Sequence, residues 1–409
     1  MLAECSPVIL VINCGSSTLK YQLYTTDLKV VTAKGLISKI GEDGSRVEHA
    51  AHGSKHVRVM PVPDHHTAFT AMIDRLIDPE VGVIKDISEV TAVGHRAVHG
   101  ADTFVKSSVI NDEVIAKLEE CVPLAPLHNP PNLVGIVEAR KLLPDVPQVV
   151  VFDTAFHQTM PEYAHVYALP YELYSEHRIR RYGFHGTSCR FVNQRAADML
   201  GRPVDELKMV ICHLGNGVTI DAIENGRSVD TSIGFATFSG VMMGTRSGDV
   251  DPGLIFYLNK QLGMSLGDIE AMLYKRSGLL GVSGISNDMR EVEERAEGGC
   301  ERCELALEMF AYMTRKYIGS YAAALGGLDA LVFTAGIGEN SPSMRARICE
   351  KLGFLGIAID SDANEAPGDD GRISTRASRT AAMVVPTDEE KMIAIDTLRL
   401  TEKARAAAA

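Results

Sequence analysis

No run of about 18 or more uncharged apolar residues occurs in this 409-residue sequence, so nothing in it reads as a membrane-spanning helix. The nearest candidate, Ile318–Ile337, is interrupted by glycines and Asp329. The opening segment MLAECSPVILVINCG lacks a basic n-region, and its apolar run leads into a Gly-Ser turn; it reads as a first β-strand and not as a signal peptide. Positive charge is also short. A net charge of −12 argues against nucleic acid or an anionic membrane as main partner, though a local basic cluster still permits a small anionic substrate. The eight cysteines (Cys5, Cys14, Cys121, Cys189, Cys212, Cys300, Cys303 and Cys349) are scattered and form no disulfide framework, which suits a reducing, cytoplasmic compartment. Cys300-x-x-Cys303 lacks zinc partners, since no histidine follows His213; it reads as two thiols near a helix start. There is no G-x-x-x-x-G-K-[ST] P-loop and no Rossmann glycine fingerprint, which disfavours NAD. Short-period repeats and low-complexity linkers are absent too.

What is present is an ordinary globular composition, 45% hydrophobic and 23% charged, in a chain long enough for two domains. VILVINCGSSTLKYQLY reads as strand, tight turn, strand, and LKMVICHLGNGVTIDAI repeats that plan from Leu207 to Ile223 about half a chain later. A third segment, LDALVFTAGIGEN, reads as a buried strand entering a glycine turn, after which Asn340 or Ser341 caps a helix with Pro342 in its first turn. The two similar units predict a duplicated α/β domain with a cleft between its halves. Helices are predicted over Asp112–Cys121, Pro130–Leu143, Leu266–Arg276, Glu301–Leu325 and Asp388–Leu398, the last with a capping box of Thr387 and Glu390, and the alanine-rich end, Ala404–Ala409, reads as a fraying helix tail. Ala306, Met309, Phe310, Met313 and Tyr317 recur at helical spacing and predict a core-facing stripe.

Three glycine-rich turns after apolar strands allow backbone N–H groups to approach phosphate oxygens, which points to a nucleotide. Arg96, His99, His128, His185 and Arg246 lie in glycine-flanked or turn-like contexts, where guanidinium forks match carboxylate and phosphate geometry. Asp153 ends a buried apolar strand, a common place for functional groups in α/β proteins. Glu389 begins a helix, where an acid complements the dipole or is free to bind a cation.

These residues sit in longer motifs: Val11–Ser17, Gly94–Gly100, His128–Pro130, Phe152–His157, Tyr182–Ser188, His213–Gly217, Met243–Asp249, Phe333–Asn340 and Pro386–Glu390. In this order and over essentially the whole chain, they resemble the acetokinase family, within the superfamily of acetate kinases, sugar kinases and actin. The resemblance implies an α/β fold of duplicated actin-like (ribonuclease H-like) domains with a nucleotide cleft between them. Residues 1–154, completed by the C-terminal helix 388–409, would form one domain; residues 155–387 would form the other and carry most of the nucleotide site. The implied reaction is direct, reversible in-line transfer of the ATP γ-phosphoryl group to acetate, giving acetyl phosphate and ADP, with Mg2+ or Mn2+ as cofactor and a homodimer as assembly.

Residue by residue, the resemblance assigns the metal to Asn13 and Glu389 and the ATP phosphates to Lys20 and the loop His213, Leu214, Gly215, Asn216 and Gly217. Asp288, Met289, Arg290, Gly336, Ile337, Gly338, Glu339 and Asn340 would line the nucleotide. Arg96 would bind the acid's carboxylate, with Val98, Leu127 and Phe184 around its methyl group. His185 and Arg246 would meet the phosphoryl group in flight, His128 would lie near them, and Asp153 would be an acid/base or an orienting group. The acceptor carboxylate is already ionised at pH 7, which favours the orienting role. Thr237 stands where the family commonly has a proline in the methyl pocket, which leaves acyl selectivity open. Propionate or butyrate kinase is therefore an alternative, and an actin- or chaperone-like ATPase switch a more distant one.

Overall fold

The structure is a computed structural model that describes residues 7–408; Cys5 and Ala409 lie outside the described residues. The chain divides into two compact units, one formed by residues up to 155 together with 388 onward, the other by 156–387. Among the described residues no helix is long and apolar enough to cross a membrane.

The first unit is built on β1 (Val8–Cys14), β2 (Thr18–Thr25), β3 (Val31–Ser38), β4 (Arg46–Ala51), β5 (Ser54–Val59), β6 (Val90–Ala97), β7 (Ser108–Val109) and β8 (Gln148–Phe152), in the order β5-β4-β3-β2-β1-β6-β8-β7. β1 to β5 form an antiparallel meander, while β6 and β8 run parallel to β1. The central strands are continuous apolar runs because both faces are covered. Leu10 and Ile12 point to one face and join Phe69 and Met72 of the helix His65–Leu76. Ile9 and Val11 point to the other, with Val149, Val151, Ile393 and Ala394; the last two come from the helix Glu389–Ala408.

That helix lies close against β6 at Gly94, where an added Cβ would sit 2.7 Å from Ile393 Cγ2. Gly94→Ala is therefore expected to destabilise the first unit by about 1–3 kcal/mol, read as a fall in its thermal midpoint. An unchanged midpoint would show that the helix shifts freely.

The second unit has β9 (Lys208–Leu214), β10 (Val218–Glu224), β11 (Arg227–Thr231), β12 (Ala330–Thr334) and β13 (Ala381–Val384), in the order β11-β10-β9-β12-β13. β9, β10 and β11 are antiparallel; β12 and β13 run parallel to β9. The same ladder, with the same strand directions, appears in the first unit as β3-β2-β1-β6-β8. The repeated strand–turn–strand plan thus extends to five strands in each unit.

Four local expectations are corrected. The segment after β12 is a short helix, Ala335–Asn340, and not an open glycine turn. The C-terminal helix is capped by Asp388, whose carboxylate accepts the Lys391 N–H at 2.9 Å. Thr387 forms no capping box, because its N–H goes to Glu339 and its hydroxyl bonds Ser188. The helix also continues past Leu398 to Ala408. Finally, the buried stripe of Glu301–Leu325 keeps the expected Ala306 and Phe310 but runs on through Cys303, Leu307, Thr314, Ile318, Tyr321 and Leu325; Met313 and Tyr317 are only half-buried, and Met309 is 36% exposed. Small residues such as Cys303, Ala311 and Thr314 allow close packing there, while bulkier Met309 and Tyr312 stay outside. Cys300 is the N-cap, its sulfur accepting the Cys303 N–H at 3.3 Å.

Candidate functional site

In the first unit three polar side chains emerge at the carboxyl ends of three adjacent parallel strands: Asn13 at the end of β1, Arg96 at the end of β6, and Asp153 just past β8. The ladder pairs Ile12 with His95 and Ala97 with Phe152, and the Asp153 N–H donates to Ala97, so all three stand at one level. This is the edge at which parallel α/β sheets present ligand-binding groups. Arg96 Nη2 donates to Asp153 Oδ2 at 2.6 Å, its Nε reaches both carboxylate oxygens at 3.1 and 3.3 Å, and its Nη1 reaches Asn13 Oδ1 at 3.4 Å. Burial alone would weaken the Arg96 charge, but Asp153, Glu389 and Glu390 outweigh it and hold the guanidinium protonated. The Glu389 carboxyl is pushed up to about 7, first by burial and then by Asp153 and Glu390, with Arg96 and Lys20 opposing.

Two asparagines fix this edge. Asn132 accepts the Val98 N–H at 3.0 Å and donates to the Cys14 carbonyl at 2.7 Å; Asn129 accepts the His99 N–H at 3.2 Å. The His-Asn-Pro motif thus ties the start of its helix, Asn129–Leu142, to the strand that carries Arg96. Val98 is half-buried, His128 immediately precedes that helix, and Leu127 is 65% exposed. Lys20 lines a separate cavity of about 390 Å³ with Lys34, Glu48, Lys55 and Glu390.

In the second unit the same strand ends carry the turns. β9 pairs with β12 up to His213 and Thr334, beyond which lie the 214–217 turn and the helix Ala335–Asn340. A cavity of about 410 Å³ opens there, lined by Gly215, Asn216, Asp288, Met289, Arg290, Gly336, Ile337 and Asn340. Leu214 is fully buried and, like His213 and Gly217, is not in the lining. Gly338 and Glu339 are not in the lining: Gly338 packs against the Cys212 carbonyl, and Glu339 turns its carboxylate to the N–H groups of Ala335 and Thr387. Asn287, Glu293 and Ser341 also line the cavity, with Ser341 donating to Glu293 at 2.6 Å.

His185 and Arg246 meet beside the turn. A Cβ on Gly217 would lie 3.1 Å from His185 Cε1, 3.2 Å from its Nε2 and 3.9 Å from Arg246 Nη1. His185 adopts a left-handed backbone, φ 55°, at the start of the helix Gly186–Leu200. Its Nδ1 bonds the Thr219 hydroxyl at 2.7 Å, and its ring stacks on His213 with centroids 4.3 Å apart. His213 Nδ1 is in turn held by Ser188 at 2.8 Å. Phe184, immediately before His185, is buried and its carbonyl bonds His157 at 3.0 Å. Arg246 Nη1 donates to the Thr237 carbonyl at 2.9 Å. Burial lowers the affinity of Arg246 for its proton, and among the described residues it forms no ion pair. A fixed guanidinium without an acid, an imidazole and open backbone at a glycine suit a ligand that brings its own negative charge.

The acetokinase family model matches residues 8–395. Acetate kinases of Pseudothermotoga lettingae and Caldanaerobacter subterraneus subsp. tengcongensis are each 52% identical, over 96% of this chain and 97% and 99% of theirs. The crystal structure of Porphyromonas gingivalis acetate kinase matches with a TM-score of 0.93 at 48% identity, covering 97% of this chain and 100% of that one. A propionate kinase structure from Francisella tularensis matches with a TM-score of 0.91 at 41% identity, covering 96% and 100%.

Proposed function

The chain belongs to the acetokinase family, and from that premise we propose how its residues act: it is a phosphotransferase with a carboxylate acceptor, an acetate kinase working with ATP and ADP. The observation that carries the reading of the site is Arg246, held beside His185 and Gly217 with no acid to neutralise it. In-line transfer spreads charge over the equatorial oxygens of the moving phosphoryl group, and catalysis consists mostly of positioning and of meeting that charge. Arg246 and His185 meet it, the 213–217 turn supplies backbone donors to the phosphates, and the adjoining cavity takes the nucleoside.

Arg96 receives the acetate carboxylate. Asp153 grips its Nε and Nη2 edge, which sets the guanidinium plane and makes Asp153 a positioning residue. No general base is needed for an ionised acceptor. The residues around Arg96 also fit a hard divalent cation. Glu389, Asp153 and Glu390 crowd one guanidinium, and the carboxyl of Glu389 is pushed up to about 7 as a result of burial and that crowding. Among the described residues no three acidic, histidine or cysteine side chains form a closed cage. That suits Mg2+, or Mn2+ in its place, which takes one or two protein oxygens and fills its shell with phosphate and water. Asn13 and Glu389 would hold it; bound there, it supplies positive charge to the phosphates. The protein acts in the cytoplasm, a reading supported by the seven described cysteines, each of which is a thiol and not half of a disulfide. It works as a homodimer, a reading supported by the apolar helix Pro252–Leu262, which buries none of its residues within its own unit.

Trapping acyl phosphate with hydroxylamine tests this, using Mg-ATP with acetate, propionate or butyrate in turn. Acetate is expected to give the highest kcat/KM, about tenfold or more above propionate, since one methylene is worth about 1–3 kcal/mol in an apolar pocket. A preference for propionate would keep the mechanism and reassign the acyl pocket around Thr237. ATP binding without acyl phosphate from any acid would overturn the kinase reading.

A further inference from the structure

We propose that Thr219 is a positioning residue for His185: its hydroxyl donates to Nδ1 and so keeps the imidazole proton on Nε2, at the glycine turn. The inference rests on the assignment of His185 to the transferring phosphoryl group. β9 and β10 run antiparallel with Thr219 directly opposite His213. Residues paired in this way stand side by side on one face of a sheet. His185 lies against both. Its ring stacks on His213 with centroids 4.3 Å apart and planes 15° from parallel, and its Nδ1 meets the Thr219 hydroxyl at 2.7 Å. The other nitrogen, Nε2, lies at the turn, where a Cβ on Gly217 would sit 3.2 Å from it.

The direction of that hydrogen bond follows from the hydroxyl. Thr219 is fully buried, and among the described residues its hydroxyl makes one hydrogen bond, the one to His185. An imidazole that donated through Nδ1 would leave the threonine proton buried without an acceptor, at a cost of about 1–3 kcal/mol. With the hydroxyl as donor, Nδ1 offers its lone pair and Nε2 carries the proton. The stack on His213 fixes the plane of the ring, and the hydroxyl fixes which nitrogen faces the turn. A ring flipped by half a turn would offer Cδ2 to the hydroxyl and exchange Nε2 for Cε1. Nε2–H is then a donor set in place before charge develops on the phosphoryl oxygens.

Thr219→Val removes the hydroxyl and keeps a β-branched side chain in the strand, whereas Thr219→Ser keeps the hydroxyl. Long-range proton–nitrogen correlation spectra of histidine-labelled protein, recorded about two pH units above the ordinary histidine value, read the tautomer directly. The His185 signals are assigned by their loss in His185→Ala. Wild-type His185 is expected to show a bare Nδ1 and a protonated Nε2, and Thr219→Val a mixture of the two tautomers. The kcat of Thr219→Val for acetyl phosphate formation is expected to fall about tenfold, with KM for acetate and for Mg-ATP within about twofold of wild type. Thr219→Ser should hold kcat within about threefold of wild type, and in a His185→Ala background Thr219→Val should cost nothing further. A wild-type His185 protonated at Nδ1 would overturn the proposal, and this holds even if Thr219→Val folds poorly. A Thr219→Val kcat equal to wild type, a loss carried by KM alone, or an equal loss in the His185→Ala background would overturn it too. A His185→Ala variant with wild-type kcat would instead overturn the role given to His185, so the two failures are distinguishable.

Discussion

Arg246→Ala is expected to lower kcat for acetyl phosphate formation by about 1,000-fold while KM for acetate changes little. The reason is the mismatch between where the charge sits and what surrounds it. Burial works against the Arg246 charge, and the described structure offers it a carbonyl and a thioether instead of a carboxylate. A cation held in that way is already arranged for an anion that arrives later, and its contact is strongest when charge has spread over the transferring group. Lysine should rescue poorly, because a point charge lacks the planar fork. Steady-state kinetics on Arg246→Ala and Arg246→Lys decide the matter. A rise in KM with kcat preserved would show that Arg246 binds the ground state instead.

Arg96→Ala carries the second large effect, and it has two separable parts. Losing the guanidinium should raise KM for acetate by about 10- to 100-fold, the worth of a charge-assisted carboxylate contact. It also takes from Asp153, which is 1% exposed, its ion pair to Arg96 at 2.6 Å. Breaking such a pair from one side costs about 3–5 kcal/mol of stability. Adding Asp153→Asn to Arg96→Ala should therefore recover most of the thermal midpoint and none of the KM. Recovery of both would mean that Arg96 serves the fold and not the acceptor.

Much of this arrangement was legible because its grammar is simple. β1, β8, β9 and β12 are near-continuous apolar runs that end in a polar or glycine residue, and the groups with chemistry follow at those ends. The duplication was legible from two short segments because the hairpin that opens each sheet keeps its pattern. What stayed hidden depends on contacts distant in sequence. Thr387 and Asp388 are both competent caps, and the reach of Glu339 to the Thr387 N–H and of Ser188 to its hydroxyl decides between them. Ser341 meets Glu293 across 48 positions, and no local pattern announces either as a wall of the cavity. Asn287, by contrast, adjoins the Asp288-Met289-Arg290 motif, and its neighbourhood was the available signal. The stripe on Glu301–Leu325 was partly misread because apolar residues occupy more than one face of that helix, so spacing alone admits several registers.

The helix Glu389–Ala408 covers one face of a sheet whose first strand begins at Val8. A ribosome adds about 5–20 residues per second, so β1 waits on the order of tens of seconds for Ile393 and Ala394. During that interval Ile9, Val11, Val149 and Val151 lack their cover while the whole second unit is being made. Of the two units, the one begun first is thus completed last, and the nascent chain must keep an apolar sheet face shielded until the helix Glu389–Ala408 has been made.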